Sequence, residues 1–294
     1  MKKKMIFKGT GTALVTPFRH GEIDYGALDT LIEEQIAAGI DALVVGGTTG
    51  EAATLSREER ARLYEHAAGR IGGRTRLLFG TGTNDTAAAV EHTRMASALP
   101  CDGVLVVTPY YNKGTRAGIV EHYRRIADAS RVPVLLYNVP SRTGVCLGEE
   151  ELATLAEEEN ISGIKEAADS ADRLVTLAAF GDSLYLYAGN DTQYYTVLAL
   201  GGMGVISVAS NLLPSAIGEI GRLYAEGRHR EAAKVQLRYL PLIRALFRET
   251  NPAPVKYAMS LLGKCTPDLR LPLSVPGEET RERLRRELQA LSLL

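Results

Sequence analysis

Apolar and polar positions along this chain follow a long rhythm. A short apolar run, often β-branched, closes on Gly, Thr, Asn, Lys or Val, and a longer amphipathic stretch follows it. Eight such runs stand in series, at residues 11–16, 42–47, 77–82, 103–108, 133–138, 161–165, 184–189 and 204–208. Each is apolar along nearly its whole length, as strands buried on both faces are, and lacks the alternation of half-exposed strands. The stretches between them carry helix signals. Asp24 can cap a helix over 25–38 that Gly39 ends. Ser56-Arg57-Glu58-Glu59 is a capping box before a helix over 60–69. Asn84-Asp85 leads an Ala-rich segment that runs to Leu99 and stops at Pro100. Eight βα units in series predict an α/β fold, a closed (β/α)8 TIM barrel. An open doubly wound sheet is the rival, but no GxGxxG follows the first strand. After Pro214 the strand pattern ends, and helices are expected over 215–225, 231–247, 254–262 and 278–291. The expected organisation is a barrel with the active site in residues 1–225 and a C-terminal helical extension in 226–294, packed on the barrel.

Charge narrows the functions. The 34 Lys+Arg and 35 Asp+Glu nearly cancel, giving a formal net charge of −1. That balance gives no electrostatic reason to bind nucleic acid or an anionic membrane. No apolar run reaches the ~18 residues of a membrane span, and none of signal length follows the basic start, so a cytoplasmic location is expected. Cys101, Cys146 and Cys265 form no CxxC, which suits a reducing compartment and argues against a disulfide framework or a zinc site. Among the histidines, His66, His92 and His122 each follow a glutamate on helical stretches and read as solvated helix faces. No HxH or HxxxH offers two ligands to one metal, so no metal is expected.

In such barrels the active site lies where the strands end. Lys165 closes the sixth run. It is one of nine lysines, four of which fall within the first eight residues, and it alone sits inside an apolar strand-like run. Desolvation at a barrel mouth lowers a lysine's pKa from about 10.4, and the neutral amine can attack a ketone to form a Schiff base. A lysine paired with Glu166 is the competing reading. Tyr137 closes the neighbouring run, its phenol placed to shuttle the protons that imine formation moves, with Thr49 and Tyr111 available as a relay. The Thr48-Thr49-Gly50 turn offers hydroxyls and backbone N–H groups to a small carboxylate. Arg142, in a Pro140-Ser141-Arg142-Thr143-Gly144 loop, can hold a second carboxylate bidentately. Together these residues describe a pocket for a keto acid and a second acidic substrate.

GTGTALVTPF, GGTTGEAATL, VTPYYN, YNVPSRTG, GIKEA and GGMGVISV, in this order and spacing, resemble the dihydrodipicolinate synthase family. That family belongs to the pyruvate-dependent class I aldolases, with N-acetylneuraminate lyase, and the resemblance covers essentially the whole chain. It implies a lyase of the lysine and diaminopimelate pathway that joins pyruvate, as an imine on Lys165, to aspartate-4-semialdehyde. No cofactor is implied beyond that covalent imine. The resemblance assigns Thr49, Tyr137 and Tyr111 to a proton relay, with Tyr111 reaching a neighbouring subunit. It assigns Thr48 and Thr49 to the pyruvate carboxylate, Arg142 to the second carboxylate, and backbone groups at Gly189 and Ile206 to the pocket near Lys165. It also implies a homotetramer, a dimer of dimers. Sialic acid lyases carry Ser-Thr where this chain has Thr48-Thr49 and lack the loop arginine, so Arg142 favours a short acidic aldehyde.

In lysine-inhibited relatives a cleft binds free lysine. Asn84 and Tyr110 match that cleft, but its acid is Ala88 here, and two positions that are His in some relatives are Arg57 and Arg60. Weak or absent inhibition by lysine is expected. The alternatives are another 2-keto-acid aldolase, a metal-assisted aldolase, and a barrel that binds a keto acid without turnover.

Overall fold

The apolar runs pair in chain order, each strand lying between its predecessor and its successor. The computed structural model of the chain describes residues 2–294. Its strands are β1 (Gly9–Ala13), β2 (Ala42–Val45), β3 (Arg76–Gly80), β4 (Gly103–Val107), β5 (Val134–Asn138), β6 (Ile161–Glu166), β7 (Tyr185–Ala188) and β8 (Gly204–Ser207). All run parallel, and β8 pairs back onto β1, so the sheet closes into a barrel. Seven helices of six or more residues alternate with the strands and an eighth follows β8: α1 (Tyr25–Ala37), α2 (Arg57–Ile71), α3 (Thr86–Ser97), α4 (Arg116–Ala129), α5 (Glu149–Glu157), α6 (Ala171–Ala178), α7 (Tyr194–Ala199) and α8 (Pro214–Ala225); a single helical turn, Pro140–Thr143, carries Arg142 after β5. The expected caps form. Asp24 accepts from the Ala27 N–H, and Ser56 and Glu59 close a reciprocal capping box.

Two layers of apolar contact hold the barrel. Strand residues such as Leu43, Phe79, Val106 and Ile164 face outward against Leu31, Leu63, Tyr64 and Ile126 of the helices. Leu43 and Ile164 are fully inaccessible, and burying each contributes roughly 1.5–3 kcal/mol. The alternate residues face inward, where Leu78, Leu105, Leu135, Tyr187 and Ile206 fill the barrel. Phe7 joins this inner cluster, its ring 4.6 Å from that of Tyr187. The strands therefore bury both faces, which is why their sequences do not alternate.

One irregularity sets the site. Val134 pairs with Ile161, but Leu135 pairs with Gly163, so β6 carries an extra residue, Ser162, against β5. Gly163 then tolerates a close approach, since a Cβ there would stand 2.3 Å from the Tyr185 carbonyl oxygen. Beyond this bulge Tyr137 pairs with Lys165 and Asn138 with Glu166. Without it Lys165 would sit opposite Asn138, whose side chain faces outward. A bulge that re-aims a side chain beside a cavity is a recurrent device of such sites.

Some expectations shift. β1 starts at Gly9 and ends at Ala13, so the first run was placed too late; the chain past Leu14 leaves the sheet towards Pro17. A two-stranded antiparallel ribbon, Phe18–Arg19 with Glu22–Ile23, is an addition that two-residue strands do not announce. The solvated reading of the histidines fails. His122 is 3% exposed, with Nδ1 on the Thr86 hydroxyl, and His66 is half-buried against Asp29 and Tyr25. Helices packed side by side around a barrel cover their flanks as well as their inner faces, and burial depresses the His122 pKa to about 4.

The remaining chain forms α9 (His229–Leu246), α10 (Ala253–Leu261) and α11 (Glu278–Ala290). Leu242, Leu246, Val255, Met259, Leu284 and Leu288 join the same buried cluster as the barrel helices, so the core runs on into the extension without a break. No helix among the described residues is long and apolar enough to cross a membrane.

Candidate functional site

Lys165 and Tyr137 are register partners on adjacent strands, so their side chains leave the same face of the sheet. The Lys165 ammonium nitrogen lies 4.2 Å from the centre of the Tyr137 ring. Lys165 is 5% exposed and makes no hydrogen bond or ion pair among the described residues. Burial lowers its pKa to about 7; the Asp191 carboxylate opposes that shift and the Arg142 guanidinium adds to it. About half the amine is then neutral at pH 7. The pairing with Glu166 weighed from the sequence does not form. Glu166 faces away and is fully buried on Arg173, on both contacts from the Asn138 amide, and on the Ala168 N–H. Burial raises the Tyr137 pKa, so its phenol keeps its proton at neutral pH.

The Arg142 guanidinium and the Thr48 hydroxyl oppose that rise. The sequence reading put Thr49 in the relay. The Thr49 hydroxyl accepts from Asn251 Nδ2 at 2.9 Å, and Thr49 lines one cavity with Tyr137 and Lys165. Arg142 is exposed at the mouth, where its Nη2 donates to the Asn251 carbonyl at 2.9 Å. A cavity of about 400 Å³ is lined by Thr49, Tyr137, Arg142, Lys165, Asn190 and Asn251 among others.

Four predicted residues stand off this cavity, Thr48 among them in the wall of an adjoining one. Gly189 lies just outside its wall with its N–H on the Glu166 carbonyl, and Ile206 is packed inside the barrel; Asn190 and Val208 line the wall instead. Tyr111 is 90% exposed with φ +69°, away from Lys165. The residues of the proposed lysine cleft are divided. A second cavity of about 520 Å³ shares Tyr137 and Arg142 with the first and adds Thr48, Arg60, His92 and Tyr110. Arg60 is 7% exposed, its guanidinium spent on the Ala52 and Gly80 carbonyls and the Tyr64 hydroxyl. Asn84 and Arg57 lie outside that wall: Asn84 offers its carbonyl to Asn112, and Arg57 is exposed beside Glu91.

Sequence reasoning passed over Asp191, Asn251 and Lys256. Asp191 is buried and held by the Val208 N–H at 2.9 Å and by the Ser207 hydroxyl. Lys256 carried a signal that was available: like Lys165 it interrupts an apolar run, here a helical one, PVKYAMSLL. Asn251 carried none, being a loop residue whose partners lie some 100 to 200 residues back.

The profile of the dihydrodipicolinate synthetase family matches residues 6–291. A 4-hydroxy-tetrahydrodipicolinate synthase of Alkaliphilus oremlandii is 45% identical, over 98% of this chain and 100% of its own. The crystal structure of dihydrodipicolinate synthase from Thermotoga maritima superposes with a TM-score of 0.96 at 39% identity, over 99% and 100% of the two chains. That of Cyanidioschyzon merolae, solved with lysine bound, gives 0.94 at 38% identity over 99% and 100%. With a family profile over nearly its full length and relatives this similar, the chain belongs to the dihydrodipicolinate synthetase family.

Proposed function

We propose that this enzyme condenses pyruvate with L-aspartate-4-semialdehyde to 4-hydroxy-tetrahydrodipicolinate, a step towards diaminopimelate and lysine. The observation that carries the reading is a buried, unpaired Lys165 with a pKa of about 7 beside a protonated phenol. The neutral amine attacks the ketone carbon of pyruvate, and the carbinolamine loses water to leave an imine. Tyr137, with Thr48 behind it, carries the proton that departs with that water. Loss of a methyl proton gives the enamine, whose carbon bonds to the aldehyde carbon of the semialdehyde. The amine of the semialdehyde then attacks the imine carbon, closes the ring and frees Lys165. N–H groups of the Thr48–Thr49 turn suit the pyruvate carboxylate, and Arg142 suits the second carboxylate. The lysine is the electron sink, so the reading needs no cofactor and no metal.

Tyr111, exposed in the single chain, would complete the relay in a neighbouring subunit, which makes a cytoplasmic homotetramer, a dimer of dimers, the active form. Free lysine is expected to inhibit weakly or not at all, because Arg60 is committed to carbonyls and Ala88 offers no acid; an unchanged rate in millimolar lysine checks this. The test of the main reading is borohydride reduction with pyruvate. The expected result is one stable adduct of pyruvate mass on Lys165, together with turnover when aspartate semialdehyde is supplied. An enzyme that turns over with no adduct overturns the Schiff base, and an adduct without turnover leaves a keto-acid binder.

A further inference from the structure

Lys256 and Glu51 form an ion pair that the chemistry above leaves unused. Both side chains are wholly inaccessible. Lys256 Nζ, from α10, donates to Glu51 Oε1 at 2.7 Å and to the Thr16 carbonyl at 2.9 Å, over the face of the Phe18 ring. The other carboxylate oxygen, Glu51 Oε2, accepts from the Arg270 N–H at 3.0 Å. The Arg270 guanidinium holds Glu59 and the Thr54 and Gly21 carbonyls. Withdrawing two charges from water is costly, and apolar residues of similar volume often stabilise a fold as well. Stability alone is therefore a weak reason for this pair, and its location supplies another.

Glu51 ends the Thr48–Thr49–Gly50 turn, in a left-handed backbone conformation with φ +54° that side chains other than glycine avoid. Its N–H closes on the Thr48 carbonyl at 3.1 Å. The Thr16 hydroxyl grips the Gly50 carbonyl at 2.7 Å, and the Thr16 carbonyl is the group Lys256 holds. Asn251 holds Thr49 from the loop before α10. Each residue after Thr48 in the turn is thus tied down, two of them directly from the C-terminal extension, and the turn walls the site: Thr49 lines the cavity with Tyr137 and Lys165, and Thr48 lines the adjoining one with Tyr137.

We infer that Lys256 is a positioning residue for the reaction: its ion pair with Glu51 fixes the Thr48–Thr49 turn in the cavity walls that it shares with Tyr137. The inference rests on the Schiff-base reading. A relay hydroxyl displaced by about 1 Å can lose roughly a hundredfold in rate without loss of binding.

The experiment compares wild type with Lys256→Met, Glu51→Gln and the Lys256→Met/Glu51→Gln double variant. Melting temperature, kcat, KM for pyruvate and the rate of borohydride-trapped adduct at saturating pyruvate are measured for each. Every folded variant is expected to lose about 10- to 100-fold in kcat and in adduct rate, while KM for pyruvate, whose carboxylate meets the same turn, rises by less than kcat falls. The double variant, freed of buried charge, is expected to recover melting temperature and not rate. A folded single or double variant with wild-type kcat, or a loss confined to melting temperature or KM, overturns the inference. If Lys256→Met does not fold, Glu51→Gln and the double variant decide, since each breaks the ion pair; wild-type kcat in either overturns the inference. A wild type that turns over without trapping pyruvate overturns the Schiff-base reading alone, because the kcat comparison still judges the positioning role.

Discussion

Lys165 and Lys256 are both buried, and their surroundings differ in one respect. Lys256 meets Glu51, the Thr16 carbonyl and an aromatic face, so every direction around its ammonium is answered. Lys165 meets the face of Tyr137 and a cavity, with no hydrogen-bonded acceptor. Burial lowers the pKa of both, but for Lys256 the charge and hydrogen bond of Glu51 oppose the shift directly. For Lys165 the opposing carboxylate, Asp191, is itself occupied by Ser207 and two backbone N–H groups. A buried lysine with a partner is a strut, and one without a partner is a nucleophile held ready.

Replacing each lysine by methionine should separate the two roles most sharply. Lys165→Met should abolish turnover and the borohydride adduct while the melting temperature stays the same or rises, because an unpaired buried amine is removed. In contrast, Lys256→Met strands the Glu51 carboxylate and should cost about 3–5 kcal/mol of stability, read by urea or thermal melting. A Lys165→Met enzyme that melts far below wild type would erase the distinction. Tyr137→Phe comes next: it keeps the ring face over Lys165 and removes the hydroxyl, so kcat should fall about 10²- to 10⁴-fold in steady-state assays. The smallest effect is with pH. The reactive amine is the neutral form, so kcat/KM should fall about tenfold per unit on the acid side of a midpoint near 7. Lys256→Arg should leave that midpoint in place.

Much of this was legible beforehand because it is written locally. The eight doubly buried strands, the Asp24 and Ser56 caps and the four late helices follow from hydrophobic period and capping residues. Lys165, Tyr137 and Arg142 were found because each closes an apolar run or follows one. The errors fall where a position depends on distant chain. Nothing near His122 announces that Thr86 of the adjacent helix covers it. Thr48 and Thr49 are equivalent in sequence, and nothing near them announces that Asn251, about 200 residues on, donates to the Thr49 hydroxyl.

The sequence by itself determined the barrel, its order of units and the lysine that stands at its rim, because backbone hydrogen bonding and side-chain period act over a few residues. Tertiary structure alone decided that Lys165 faces Tyr137, since the extra residue at Ser162 shifts the pairing of β6 on β5 by one. It also decided that Glu51 and Lys256, 205 residues apart, meet inside the protein. Strand register and buried charge pairing are settled by what packs on the far side of the molecule, and no window along the chain contains both partners.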